Sequence, residues 1–392
     1  MRLLRIANCG PVRRSLGEAG LRIKKRRFAS VALILAAGLL AVTFTSVVFA
    51  WADRTHQLIV EEAVARLPEP LRGLLAEPAV LARLKKAAAE PDERRKRLEK
   101  EVATAPADRR EALRKEAAEE KRRHYLDIDA ITTEPPPFAR FPHDRKAAEK
   151  EFGTKPFEEH GIVPWAAEEA LDNLVAAMTG GQSDDIFRAA GDLAHYAADL
   201  HMPFHVSKNF NGQFTGNEGI HKAVEIGLAV RNEASYAAEV QRDRTEAVYV
   251  ENARDAFFQW IVQANARVAP ILEADTLARK QTGYSPGAGT KEIEQETEDP
   301  ANEKSKPYYA ALKKELEARG SPEAAAMRDA AAHLAQLYYT AWVRAGKPDS
   351  LSAVVVAQEP AGLSPYVLLI PSAILFFVLL WPRKRPFFQR PS

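Results

Sequence analysis

The sequence predicts an all-α fold, a multi-helix single domain, and three observations carry that expectation. Ala, Leu, Glu, Lys and Arg dominate the chain. Runs of alternating β-branched residues, the mark of strands, are missing. Apolar residues recur at helical spacing in segment after segment. In order, these segments are His56–Leu67, Pro70–Ala89, Trp165–Met178, Asp184–His201, Ile220–Val240, Thr245–Leu272 and Pro322–Ala345. A highly charged stretch from Leu84 to Arg123 is broken by Pro91 and Pro106, which predicts two helices with a solvated face. Pro164-Trp165 reads as a helix start with an aromatic core anchor, since proline suits the first turn. Thr132–Phe141 is proline-rich and predicts a loop. Residues 281–306 hold Gly, Pro, Thr and many acids and predict a mobile surface loop within the 51–345 domain. No internal repeat is visible.

Composition bounds the chemistry. The hydrophobic fraction of 46% is enough for a core and excludes a wholly disordered chain. The single cysteine, Cys9, lies in the basic N-terminal stretch, so disulfides, thiolate metal sites and cysteine nucleophiles are excluded from the main body. The formal charge of +2 is uneven: residues 1–50 carry +8, the tail from Arg383 carries +4, and residues 51–382 hold −10. A body with that balance is a poor electrostatic partner for a polyanion.

The two ends suggest a compartment. A basic stretch ending in Lys24-Lys25-Arg26-Arg27 precedes an apolar run from Phe28 to about Ala50, the layout of a secretory signal. Val48-Phe49-Ala50 places small residues at the cleavage positions, so Trp51 would begin the mature chain. Residues 346–362 read as a linker. Leu363–Trp381 is a 19-residue stretch without charge, near the length that crosses a bilayer. Tyr366 and Trp381 flank it, and Arg383-Lys384-Arg385 opens a basic 382–392 tail that would remain cytoplasmic. The expected arrangement is a membrane-anchored protein with its body in the periplasm or outside the cell.

The histidines point to a metal. His195 and Asp199 are four residues apart and share one helical face. Pro203 disturbs the helix end and lets His205 turn toward the same place. His221 and Glu225 repeat the imidazole–carboxylate pair, after an Asn/Gly-rich loop over Asn209–Gly219. Imidazole plus carboxylate without thiolate suits zinc in a catalytic site. His124 stands beside Asp127 and Asp129, and His56 follows Trp51 closely. Asp127 and Asp129 read equally as acceptors that hold His124 or as solvated acids. His201 lies off the Asp199 face and reads as a surface or pocket-wall residue. His143, His160 and His333 read as structural, and Tyr196 as core.

Together these motifs resemble the zinc-dependent phospholipase C and single-strand-specific zinc nuclease superfamily. His195, Asp199 and His205 match its His-x3-Asp-x5-His motif. His221 and Glu225 match its later His-x3-Asp/Glu pair, and His124 its histidine before an Asp-rich turn. Trp51 and His56 match its mature N-terminus, where a tryptophan gives its α-amine and carbonyl oxygen to one zinc. The resemblance runs from Trp51 to Glu225 and implies three Zn2+ ions in an all-α body. Trp51, His56 and Asp199 would hold one. Asp199 would bridge to a second, shared with His124, His195 and one more aspartate. His205, His221 and Glu225 would hold the third. Two aspartates compete for the remaining place. Asp108 has the shorter separation from His124, while Asp92 has the proline–aspartate context and is preferred. That aspartate and Asp199 are the expected catalytic carboxylates.

The resemblance also implies the reaction, hydrolysis of a phosphoric diester by a metal-activated water. Glu225 leans toward the phospholipase branch, as do Gly219-x-His221, His195-Tyr196, the membrane tether and the acidic body. The expected substrate is a phospholipid or another phosphoester. The alternative within the superfamily is a single-strand nuclease or 3′-nucleotidase, which the acidic body disfavours. A membrane-anchored helical scaffold with incidental histidines is the non-enzymatic alternative.

Overall fold

The computed structural model describes residues 52–242, 244–286 and 302–348. It is all-α, with no β-strand among the described residues; one isolated antiparallel bridge joins Leu126 to Gly161. The signal segment, Trp51, most of the linker, the Leu363–Trp381 stretch and the basic tail lie outside the described residues. Among those described, no helix is long and apolar enough to cross a membrane.

The core is continuous from Ile59 to Trp342. At its centre lies the Ser183–Asp199 helix, buried over almost every turn after Asp185. It packs chiefly against Val163–Gly180, Pro78–Ala87 and Pro322–Arg344, and also touches Ala52–Ala65 and Glu90–Thr104. Pro322–Arg344 also packs on the first described helix, Ala52–Ala65. Trp165 anchors the Val163–Gly180 helix in the core, and its indole N–H donates to the His143 carbonyl at 2.8 Å. Glu90–Thr104 and Ala107–Arg122 form the expected pair of charged helices, with Pro91 in the first turn of one and Pro106 at the N-cap of the other.

Three expected helices divide, each for a local reason. Pro70–Ala89 becomes Leu71–Leu75 and Pro78–Ala87. Pro78 cannot continue a helix, but it fits a first turn, and the Glu77 carboxylate caps that turn by accepting from Ala79 and Val80. Thr245–Leu272 divides twice. Residues 244–252 are not helical: the Ala247 N–H donates to the Arg66 carbonyl at 2.8 Å and the Val250 N–H to Thr340 Oγ1 at 2.9 Å. Asn252 then caps Ala253–Ala266 through its side chain, which accepts from the Asp255 N–H. Pro270 cannot donate to the carbonyl four residues earlier, and a new helix, Val268–Thr282, starts at that boundary. Ile220–Val240 contains a π turn over Ala223–Leu228 and breaks at Asn232. The 281–306 segment is shorter at both ends than expected, since Val268–Thr282 enters it and Lys306–Glu317 begins at its last residue.

Candidate metal centre

The candidate site is assembled by six pieces of chain. His56 comes from the Ala52–Ala65 helix and Asp92 from the first turn of Glu90–Thr104. His124 follows the Ala107–Arg122 helix. His195 and Asp199 end the central helix, and His205 closes a short 3-10 turn, Pro203–His205. His221 and Glu225 flank the entry to the π turn, a feature often found where a helix re-aims a side chain at a site. These residues form three groups in which one ligand atom from each member lies within 4.8 Å of the others: His56, His195 and Asp199; Asp92, His124 and His195; His205, His221 and Glu225. His195 belongs to two of the groups.

Local packing puts them there. Gly191 faces the end of the Pro78–Ala87 helix so closely that a Cβ would stand 2.4 Å from the Ala87 carbonyl oxygen. This approach lets His195, one turn later on the same face, place its Nδ1 at 2.8 Å from the Ala88 carbonyl oxygen. A carbonyl only accepts, so Nδ1 carries the proton. Burial pushes the imidazole down to about 3, which keeps the ring neutral. The lone pair on Nε2 is therefore turned into the cluster, 3.0 Å from His124 Nδ1. Metal-binding histidines are oriented by such a bond from the other ring nitrogen. The His56 ring stacks on His195 at 4.3 Å. On the other side, the Leu126 N–H donates to the His205 carbonyl at 2.9 Å and ties the His124 segment to the 3-10 turn. Gly161 pairs with Leu126 at φ 87°, where a Cβ would meet the Tyr125 carbonyl at 2.0 Å.

Asp199 is buried at the centre and serves both sides. Its Oδ2 lies 3.1 Å from His124 Nδ1 and 3.4 Å from His195 Nε2, while its Oδ1 lies 3.2 Å from His205 Nδ1. Burial would raise its carboxyl, but His195, His205 and the hydrogen bonds from His124 and His205 hold it well below the usual range. Asp92 behaves alike: burial opposes ionisation, yet His195, His124 and Arg95 together keep its pKa low. His205 is disfavoured as a cation by burial, but Asp199 and Glu225 lift it to about 9. Glu225 resists burial through His221 and His205 and falls to about 2.

The donor set fits a metal. It consists of imidazoles and carboxylates converging in a small volume, with no thiolate. His56 Nδ1 is buried and has no hydrogen-bond partner. That is an orphaned lone pair or N–H in a place where buried polar groups are normally satisfied.

Of the expected site residues, His56, Asp92, His124, His195, Asp199, His205, His221 and Glu225 are brought together, and Trp51 lies outside the described residues. Asp108 is exposed at the start of Ala107–Arg122 and belongs to none of the groups. Asp127 and Asp129 do not hold His124. Asp127 faces His160 Nδ1 at 3.4 Å, and Asp129 accepts from the Lys208 N–H and from Ser207 Oγ. His124 Nδ1 faces Asp199 Oδ2 at 3.1 Å, and the Glu120 carboxylate stands at 3.6 Å from its Nε2, a charge contact and not a hydrogen bond. Glu120 sits four residues before His124, so helical spacing contained that signal. His201 is not at the surface, one of its two expected places: it is buried, with Nε2 2.7 Å from His333 Nδ1. Tyr196 is core as expected, and its hydroxyl donates to Glu120. Gly191 was missed; a glycine inside a strong helix pattern, one turn before a ligand histidine, was its only mark.

Gly191→Ala should therefore destabilise the fold by about 1–3 kcal/mol, because two backbones must part. Urea unfolding of the chelated protein measures this; an unchanged midpoint would mean the contact can relax freely.

No family model matches this chain, and no curated protein matches it.

Proposed function

We propose that the protein is a zinc-dependent phosphoric diester hydrolase, phospholipase C-like in its substrate. The observation that carries this reading is the shared carboxylate. Asp199 groups with His56 and His195, and its Oδ2 also lies 3.1 Å from His124 Nδ1, so one carboxylate reaches donors of both the first and the second group. His56, His195 and Asp199 would hold one Zn2+, joined by the Trp51 α-amine if the signal is removed after Ala50. Asp92, His124, His195 and Asp199 would hold a second, and His205, His221 and Glu225 a third. When bound, ions so placed supply a nucleophile at neutral pH and neutralise charge growing on phosphoryl oxygens.

The chain's own residues do the rest. Asp92, ionised and partly accessible, is the carboxylate placed to orient the attacking water. The Ala88 carbonyl fixes the His195 tautomer. The buried helix end behind Asp199 excludes bulk water from one side of the reacting group. A serine or cysteine nucleophile has no part in this reaction. Glu225, the acidic body and the uncharged Leu363–Trp381 stretch support a lipid substrate near a membrane, with the body on the periplasmic or outer side.

The deciding experiment is metal analysis of the purified protein, combined with hydrolysis of phosphatidylcholine, single-stranded DNA and a 3′-nucleotide, with and without chelator. The expected result is about three zincs per chain, matching the three residue groups, and chelator-sensitive release of phosphocholine. Cleavage of DNA or the nucleotide alone would move the assignment to the nuclease branch. Less than one zinc per chain and no hydrolysis would leave a helical scaffold.

A further inference from the structure

The chain between His205 and His221 leaves the candidate site and returns to it. The two rings stand 4.9 Å apart, centroid to centroid. The loop they enclose exposes two large apolar side chains, Phe210 at 47% and Phe214 at 69%. Phe210 follows His205 by five residues, so its backbone lies within about 18 Å of that ligand's.

This loop is built to be stiff. Asp129 accepts from Ser207 Oγ at 3.0 Å and from the Lys208 N–H at 2.7 Å, fixing its start. Asn209 Oδ1 accepts from the Phe214 N–H at 2.9 Å, and its Nδ2 donates to Thr215 Oγ1 at 3.1 Å. Gln213 Nε2 donates to the Lys208 carbonyl at 2.7 Å, and Asn211 Oδ1 accepts from the Gly219 N–H at 3.1 Å. Asn217 Nδ2 donates to the buried Asp275 at 2.7 Å and anchors the far end. Side-chain bonds of this kind replace a regular backbone ladder and remove the entropy a floppy loop would lose on binding. Two phenylalanines held in water on a stiff frame, in a loop whose ends carry His205 and His221, mark a contact surface.

We propose that this loop seats the mouth of the site on a phospholipid bilayer, with Phe210 and Phe214 entering the interfacial region. The proposal rests on the phosphoesterase reading only for what the docking serves, delivery of a lipid phosphodiester to the site. Three observations favour lipid. The body from 51 to 382 carries −10, which opposes a polyanion. Aromatic rings partition favourably into the bilayer interface. The same chain carries the 19-residue uncharged Leu363–Trp381 stretch followed by Arg383-Lys384-Arg385, a pattern suited to holding the body near a membrane.

The test uses the full chain and two readouts. In Phe214→Trp, the emission added over the parent chain should shift to the blue with phosphatidylcholine vesicles. It should be quenched when the acyl chains are brominated. This readout needs no turnover, so it decides docking even if the protein hydrolyses nothing. In the Phe210→Ser/Phe214→Ser double variant, hydrolysis of vesicular phosphatidylcholine should fall on the order of tenfold or more, given the apolar area of two rings. Hydrolysis of bis(4-nitrophenyl) phosphate, which is free in solution, should not change. An indole that stays unquenched, or equal losses on both substrates, would overturn the proposal. Quenching by single-stranded DNA and not by brominated lipid would overturn it too and assign the rings to base stacking.

Discussion

Asp199→Asn is expected to empty two ion positions at once and to lower phosphodiester hydrolysis by on the order of 10³-fold or more. Asp199 groups with His56 and His195, and its Oδ2 also faces His124, a member of the second group. An amide keeps the shape but loses the negative charge, so it is too weak a ligand to hold two ions. His221→Ala is the comparison, because His221 belongs to one group only and its loss should empty one position. Zinc per chain, measured after removal of loosely held metal, reads the difference directly. A purely structural role for Asp199 makes another prediction. In that case the carboxylate only compensates its buried histidine neighbours, and Asp199→Asn would destabilise the chelated protein as much as the metal-loaded one. In the ligand role, the rise in melting temperature produced by zinc shrinks in the variant, since a ligand stabilises only through the sites it can fill. Full zinc content in Asp199→Asn would remove the assignment.

The parts of the fold and site legible in the sequence are those governed by short-range rules. His195 and Asp199 share a helical face because four residues make about one turn, and the structure keeps them there. Pro91 and Pro106 mark helix starts in the charged stretch because proline suits a first turn. What was not legible depends on partners distant in sequence. Residues 244–252 have helical composition, yet their N–H groups find the Arg66 carbonyl and Thr340 Oγ1, and those bonds outweigh propensity. The π turn that carries Glu225 fits around Tyr309, where a Cβ on Gly227 would stand 2.2 Å from the Tyr309 hydroxyl. No local pattern announces that contact. The surface reading of His201 failed for the same reason. Its burial depends on His333, 132 residues away.

The choice between Asp92 and Asp108 has the other large expected effect, and it separates two readings of one carboxylate. Asp92→Ala should cost one ion position and lower hydrolysis by on the order of 10²–10³-fold, whereas Asp108→Ala should leave both unchanged. Asp92 groups with His124 and His195, and Asp108 is exposed on another helix. A rival account needs no metal. Asp92 lies in the first turn of its helix, where an acid is favourable, and its Oδ1 pairs with Arg95 at 3.1 Å. On that account the carboxylate serves only to hold the helix and its arginine. Arg95→Ala tests it, because that variant removes the ion pair and leaves the carboxylate facing the histidines. Arg95 also bonds Glu99, so its loss should cost no more than about 1 kcal/mol of stability at this partly exposed position. If Asp92 is a ligand, Arg95→Ala keeps its zinc and Asp92→Ala does not. Equal zinc content and equal rates in the two variants would make Asp92 a first-turn acid whose role is its pair with Arg95.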